Sequence, residues 1–447
     1  MKKLVMALVA LAAIVAVATP ALAEIKVNGY YRLQGIATNS DDSSVNFNGP
    51  NAVEPATQSL IDQRLRMKVT NTLNENVKIV WYGEVDGTFG ATGATGGGTK
   101  DGGPGGDRVS VETKNAYLDF KIPNSMFSVK TGLQGVGGRY QGLILADDWS
   151  AIKVGMDIND TTKLTLLYSK PSEGVTNQWD DVDFYNVSFD TKAGDVKIGA
   201  DLAWFDNNAA GGFTAAGGGD SPLFGGLGNN LAFDLYLAAI KADAKIGDIG
   251  VDGFFIYATG SEDNPAGGGE QDLSAYAASV HVSAKVADIG LGGRVIYMSG
   301  DDNTADADTE SFIPNLGGNY DFAKENLMIF MTDAYYNNGP GGRLAVNAAT
   351  NNGSGLLGLT AQANFNFDDI YLKTGVGYFQ ALETQAGGED DMGFEIAARV
   401  GTKVAGNVDC SIAGAYAVMG DYWIVQNGLA STPDDIFKVS AMVNVGF

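Results

Sequence analysis

The C-terminal stretch FKVSAMVNVGF (437–447) decides how this chain folds. Phe437, Val439, Ala441, Val443, Val445 and Phe447 occupy every second position, with Lys438, Ser440, Met442, Asn444 and Gly446 between them. Successive side chains of a β-strand point to opposite faces, so this alternation describes a strand with one apolar and one mixed or polar face. The pattern recurs at Leu65-Met67-Val69 against Arg64-Arg66-Lys68 and at Val196-Ile198-Ala200-Leu202-Trp204 against Lys197-Gly199-Asp201. Met392-Phe394-Ile396-Ala398-Val400 against Gly393-Glu395-Ala397-Arg399 is a fourth case. Helical periodicity is hard to find after the N-terminal segment.

Two kinds of connection alternate between these strands. NTLNEN (71–76), INDT (158–161), TKAGD (191–195), KIGD (245–248), NFDD (366–369) and KVAGN (403–407) are short. The stretches 38–58, 88–107, 207–229, 260–271, 300–311, 337–355 and 419–435 are long and rich in Gly, Asn and Asp. Short turns at one end and long loops at the other are the habit of transmembrane barrels. In lipid an open sheet edge leaves backbone groups unpaired, so the sheet must close. The expected fold is therefore all-β: one closed antiparallel transmembrane β-barrel over 24–447. About nine short turns imply roughly twenty strands, with eighteen or sixteen also compatible, because 134–158 and 310–336 read ambiguously. Phe120 and Phe127 beside one turn, and Phe365, Phe367 and Tyr371 around another, read as interfacial girdles.

At the other end of the chain, Lys2 and Lys3 precede an apolar run from Leu4 to Ala18, and Ala21-Leu22-Ala23 supplies small residues. That is the layout of a signal peptide over 1–23, cut before Glu24. Without those two lysines, the 29 basic residues become 27 against 53 acidic ones, a balance of −26. Such a balance argues against nucleic-acid binding, which needs a basic footprint. Cys410 is the single cysteine, so there is no intramolecular disulfide and no haem-attachment motif.

The opening strand EIKVNGYYRLQG (24–35), the second strand IDQRLRMKVT (61–70), the segment KNAYLDFKIPNSMFSVKTGLQ (114–134) and the terminal strand together carry a resemblance. The chain resembles large single-chain bacterial outer-membrane porins, in particular the divergent porins of sulfate- and metal-reducing bacteria and, more loosely, alginate-export-like barrels. The resemblance implies a Gram-negative outer-membrane protein surrounded by lipid and lipopolysaccharide. It also implies that the barrel-assembly machinery reads Phe447 on the last strand, and it leaves a homotrimer as one option. The expected function is a water-filled channel for passive diffusion of small hydrophilic solutes and ions. Two rivals stay open: a substrate-selective or polysaccharide-export barrel, and a structural sheath around a partner such as a multihaem cytochrome.

No enzyme constellation, metal site or cofactor site is expected. His281, the one histidine, falls on the inner face of its strand, opposite Tyr276, Val280 and Val282, and reads as a pore-lining residue. The Gly-rich stretch 91–106 lacks the GKS or GKT ending of a phosphate loop and reads as an external loop. Asp301, Asp302, Asp306, Asp308 and Glu310 lack calcium-loop spacing and read as a solvated charge run, with divalent bridging to lipopolysaccharide the minor alternative.

The lumen holds the residues that look functional. Lys26, Asn28, Arg32 and Gln34 share one face of the first strand, and Arg64, Arg66 and Lys68 share one face of the second. A hairpin pairing puts Arg32 level with Arg64 or Arg66. A charge facing lipid at the midplane costs ~2–4 kcal/mol, so these residues must point inward. Glu84 and Asp86 follow on the inner face of the third strand. Such a mixed ladder either screens solutes or fills the wall with cross-strand ion pairs. The segment 134–149 is the best candidate for a loop folded into the lumen, bringing Arg139, Asp147 and Asp148 to the ladder.

Overall fold

The computed structural model describes residues 24–39, 58–90, 101–102, 111–173, 181–208, 233–264, 269–303, 308–312, 321–331, 344–351, 353–384, 386–426 and 432–447. The signal-peptide reading of 1–23 lies outside the described residues, as do nearly all of the Gly-rich stretch 91–106 and Asp306 of the acidic run.

Eighteen strands run in chain order. They are β1 (Glu24–Thr38), β2 (Gln58–Asn74), β3 (Val77–Phe89), β4 (Glu112–Lys121), β5 (Phe127–Gly137), β6 (Ala146–Asn159), β7 (Thr162–Ser172), β8 (Val182–Ala193) and β9 (Val196–Asn207). Then come β10 (Phe233–Ile246), β11 (Ile249–Asn264), β12 (Gly269–Val286), β13 (Ile289–Met298), β14 (Leu356–Phe367), β15 (Ile370–Gln380), β16 (Asp391–Ala405), β17 (Val408–Met419) and β18 (Ile436–Gly446). Each pairs antiparallel with the next, and β18 returns to β1, with Tyr31 opposite Val445 and Thr38 opposite Lys438. Phe447 and Gly29 then exchange backbone hydrogen bonds of 2.8 and 3.0 Å. The sheet is thus a closed barrel and leaves no spanning strand unpaired. Two-residue pieces, Asp101–Gly102 and Asp308–Thr309, add in parallel to β3 and β12.

The strand count falls at eighteen because part of 310–336 does not span the wall. Of its described residues, 310–312 and 321–331, none contributes a strand, and 321–331 runs inside the barrel. Eight short turns, not about nine, join strands at one end, where both described termini also lie.

The alternation orients the strands as expected, except that Met392, skipped at a register shift between β15 and β16, is buried while Phe394, Ile396 and Val400 are exposed on the outer wall. On β18, Ile436, Lys438, Ser440 and Met442 are buried inside, while Val439 and Val443 are exposed on the outer wall. On β9, Asp201, Ala203 and Phe205 point in, and Leu202 and Trp204 point out. Outer aromatics stack across neighbouring strands: Tyr185 lies 5.3 Å from Tyr168 and 5.2 Å from Trp204, which stacks on Tyr236 at 6.1 Å. This belt lies toward the long-loop ends. At the short-turn end Phe365 and Phe367 stack on the outer wall as a girdle would. Tyr371 does not join them: it belongs to the inner face of β15, where its hydroxyl donates to Asp409 at 2.9 Å under the Arg399 guanidinium. The alternation of β15, which turns Ile370 outward, sends Tyr371 inward.

Toward the long-loop end the interior is filled by inward-folded chain. Helix α1 (Leu344–Asn351) follows the inner segment and receives it through Leu344 and Ala345 N–H groups bonded to Ile329 and Phe330 carbonyls. The short helix α2 (Tyr422–Gln426) buries Trp423, whose indole donates to the Met392 carbonyl at 2.7 Å.

Candidate functional site: the lumen and its inward loops

Register places the expected ladder as the sequence suggests. Arg32 faces Arg64 across β1–β2, and Arg64 and Arg66 face Asp86 and Glu84 across β2–β3. Arg64 donates twice to Asp86, at 2.6 and 2.5 Å, and lies 3.3 Å from Glu84, which also pairs with Arg66. Arg32 is 2 % exposed and Glu84 4 %, so this part of the wall is a packed cluster in which two carboxylates serve Arg64 and Arg66. Lys68, half-buried, lies level with Asn28 and Tyr82.

Of the candidate stretch 134–149, residues 134–137 and 146–149 stay in β5 and β6, and only 138–145 folds inward. Gly137 and Gly138 adopt positive φ, a backbone open to glycine, and turn the chain off the wall. Leu143, Ile144 and Leu145 are buried beneath it. Its tip makes different partners from those expected. Arg139 reaches Asp190 on β8 at 2.9 Å and Asp201 on β9 at 2.8 Å. Tyr140 donates to Asp201 at 2.5 Å, and burial together with that carboxylate raises its hydroxyl above the ordinary phenol range, so it remains a donor. Asp148 pairs with Lys114 of β4 at 2.8 Å rather than with the arginine ladder, and exposed Asp147 accepts the Asp148 N–H.

Two cavities flank this tip. One, of about 530 Å³, is walled by Lys130, Lys153, Lys163, Asn186, Asp190 and Asp201. The other, of about 980 Å³, opens toward the short turns past Lys192, Lys197, Lys241 and Lys324. Together the described linings carry ten Lys or Arg against seven Asp or Glu, an excess of three positive charges in a chain of net charge −24. Lys130 sits directly opposite Lys153, and Lys163 lies on the next strand. Local field, not net charge, acts on a solute in such a passage.

The inner segment 321–331 completes the obstruction. Glu395 on β16 accepts the N–H of Met328 at 2.6 Å and Ile329 at 3.1 Å on one oxygen, and that of Phe330 at 2.8 Å on the other. Glu325 pairs with Arg294 of β13, and Lys324 reaches Asp252 of β11 at 2.7 Å. Burial raises the Glu325 carboxyl above its ordinary range, with the Arg294 charge opposing that shift. The Asp321 N–H bonds the Gln141 carbonyl at 3.0 Å, so the two inward elements meet and bridge the barrel. His281 lies on the inner face as expected but within this packing: it is 3 % exposed, 3.0 Å from Asp252 and 2.9 Å from Gln362.

Sequence reasoning missed the lysines of β5–β7 and the 321–331 dock. The lysines were findable, because a charge inside any spanning strand must face inward, as Lys153 does within AIKVGM. The apolar run NLMIFM (326–331), set between polar stretches, was the signal for a buried segment. Nothing local marks Glu395 as its receptor.

A closed 18-stranded antiparallel barrel with inward loops between β5–β6 and β13–β14 has the architecture of the large outer-membrane porins. The chain superposes on OccK8 (OprE) of Pseudomonas aeruginosa with a TM-score of 0.54, at 10% identity over 95% of this chain and 98% of that one. OccAB1 of Acinetobacter baumannii gives 0.55, at 10% identity over 95% and 97%. The outer-membrane protein OpdK of P. aeruginosa gives 0.52, at 10% identity over 94% and 98%. At that identity the likeness is one of fold. No family model matches the sequence, and no curated protein matches it.

Proposed function

We propose that the chain is an outer-membrane porin, a non-enzymatic channel through which small hydrophilic solutes and ions diffuse passively. The observation that carries this reading is the contrast between the two faces of one closed wall. Outside are Leu202, Ile412, Val439 and stacked aromatics; inside are cavities lined by charged side chains. Charges at that depth are tolerable only against water or paired partners. By barrel convention the short turns face the periplasm and the long loops the exterior. Lipopolysaccharide around the rim, the assembly machinery reading Phe447, and any trimer belong to the same proposal, as does removal of 1–23.

Within it, Arg139 and its bridge to Asp190 and Asp201 form the constriction, and Arg32, Arg64, Arg66, Lys68, Glu84 and Asp86 form a cation-rich, partly ion-paired wall beside it. Asp147 and Asp148 lie at the outer approach. The positive excess favours passage of anions. The mixed signs argue against a one-sign export track for a charged polysaccharide. The bridge across the bore argues against a sheath for a threaded cytochrome. Liposomes reconstituted with the mature chain test the reading: they should swell in small sugars and progressively less in larger ones. Folded protein that admits no solute of any size would refute it.

A further inference from the structure

Among the described residues the segment 321–331 pairs with no strand, yet its backbone donors are buried among apolar walls. Phe322, Ile329, Phe330 and Met331 are each fully buried. A buried unpaired N–H is costly, and a carboxylate is the strongest acceptor a side chain offers. Glu395 satisfies three successive N–H groups at once. The wall is also shaped for the segment. A Cβ on Gly377 would stand 2.8 Å from the Leu327 side chain, and one on Gly375 would collide with the Glu325 carbonyl. Only bare backbone on β15 leaves that furrow open. Asn326 adds bonds to Asn364 at 3.1 Å and to the Thr374 carbonyl at 3.2 Å.

What the dock presents to the cavity is Lys324. It is an exposed side chain of the segment that lines the 980 Å³ space beside Arg294 and Asp252. We propose that Glu395 is a positioning residue for conduction: by holding segment 321–331 on β15–β16 it fixes Lys324 in the lumen and so sets both the bore and its charge. The inference rests on the pore reading above. Glu395 touches no passing solute; it acts through the segment, whose contact at Asp321–Gln141 also ties it to the Arg139 tip.

Single-channel recording in planar bilayers under a salt gradient tests this with wild type, K324Q, E395Q and the E395Q/K324Q pair. The expected result is a conductance rise of about twofold in E395Q, since one of two elements crossing the bore is released. K324Q should move the reversal potential toward cations in the wild-type background and have little further effect in E395Q, a non-additivity that mere packing would not give. E395D, which keeps a carboxylate on a shorter side chain, should fall between wild type and E395Q. Should E395Q not assemble, Lys324→Cys in a Cys410→Ser chain reports the same point: a charged thiol reagent should label it faster when Glu395→Asp lengthens the dock. Unaltered conductance in E395Q, equal K324Q shifts in both backgrounds, or unchanged labelling would overturn the role of Glu395. A silent wild type would instead count against the pore itself.

Discussion

Charged side chains inside a membrane-spanning wall have to be paired or wet, and this chain uses both solutions at different residues. Arg64 and Arg66 are matched by Asp86 and Glu84 one strand away. Breaking a buried pair from one side leaves the other charge stranded and costs about 3–5 kcal/mol. We expect R64M/R66M to lower barrel stability in a denaturant titration by roughly that amount. Adding E84Q/D86N should recover much of the loss; equal stability of wild type and the arginine double variant would show the cluster to be idle. This ladder was legible because the inward rule and the hairpin register need only local pattern. The partner of Arg139 was not legible. Its reach to Asp190 and Asp201 depends on how far a loop projects into the bore, which no local pattern encodes. Here R139Q should raise conductance and shift the reversal potential toward cations, while a change in neither would remove Arg139 from the constriction.

Among the elements, the strands were the most readable and the inward segments the least. Period-two alternation states which face of β9 or β18 meets lipid, because a one-residue slip would turn every apolar side chain inward. L202R, at the middle of β9 on the outer wall, should therefore cost ~2–4 kcal/mol in folding into vesicles, whereas A203S on the opposite face should be nearly neutral. Similar costs at both positions would contradict the assigned faces. The stretch 134–149 is a candidate for an inward fold on its sequence, but nothing local limits that fold to 138–145. The segment 321–331 was visible only as an ambiguous stretch, since its apolar run NLMIFM is too short to distinguish a strand from a docked coil. Its bonds to Glu395 are tertiary and of long sequence separation. Tyr371 went astray for a related reason: proximity to a turn suggested a girdle, but strand parity decides the face.

For the molecule as a whole, the distribution of charge matters more than its sum. A net charge of −24 coexists with linings in which ten cations oppose seven carboxylates. Closure depends on β18 meeting β1, where Phe447 and Gly29 exchange two backbone bonds. Removing Phe447 should therefore reduce the yield of assembled barrel in the outer membrane without changing conductance of the molecules that do assemble. Purified wild-type protein in a planar bilayer should give discrete, roughly ohmic conductance steps and a reversal potential favouring anions under a salt gradient. Folded barrels that insert and yet pass no current would contradict a channel function.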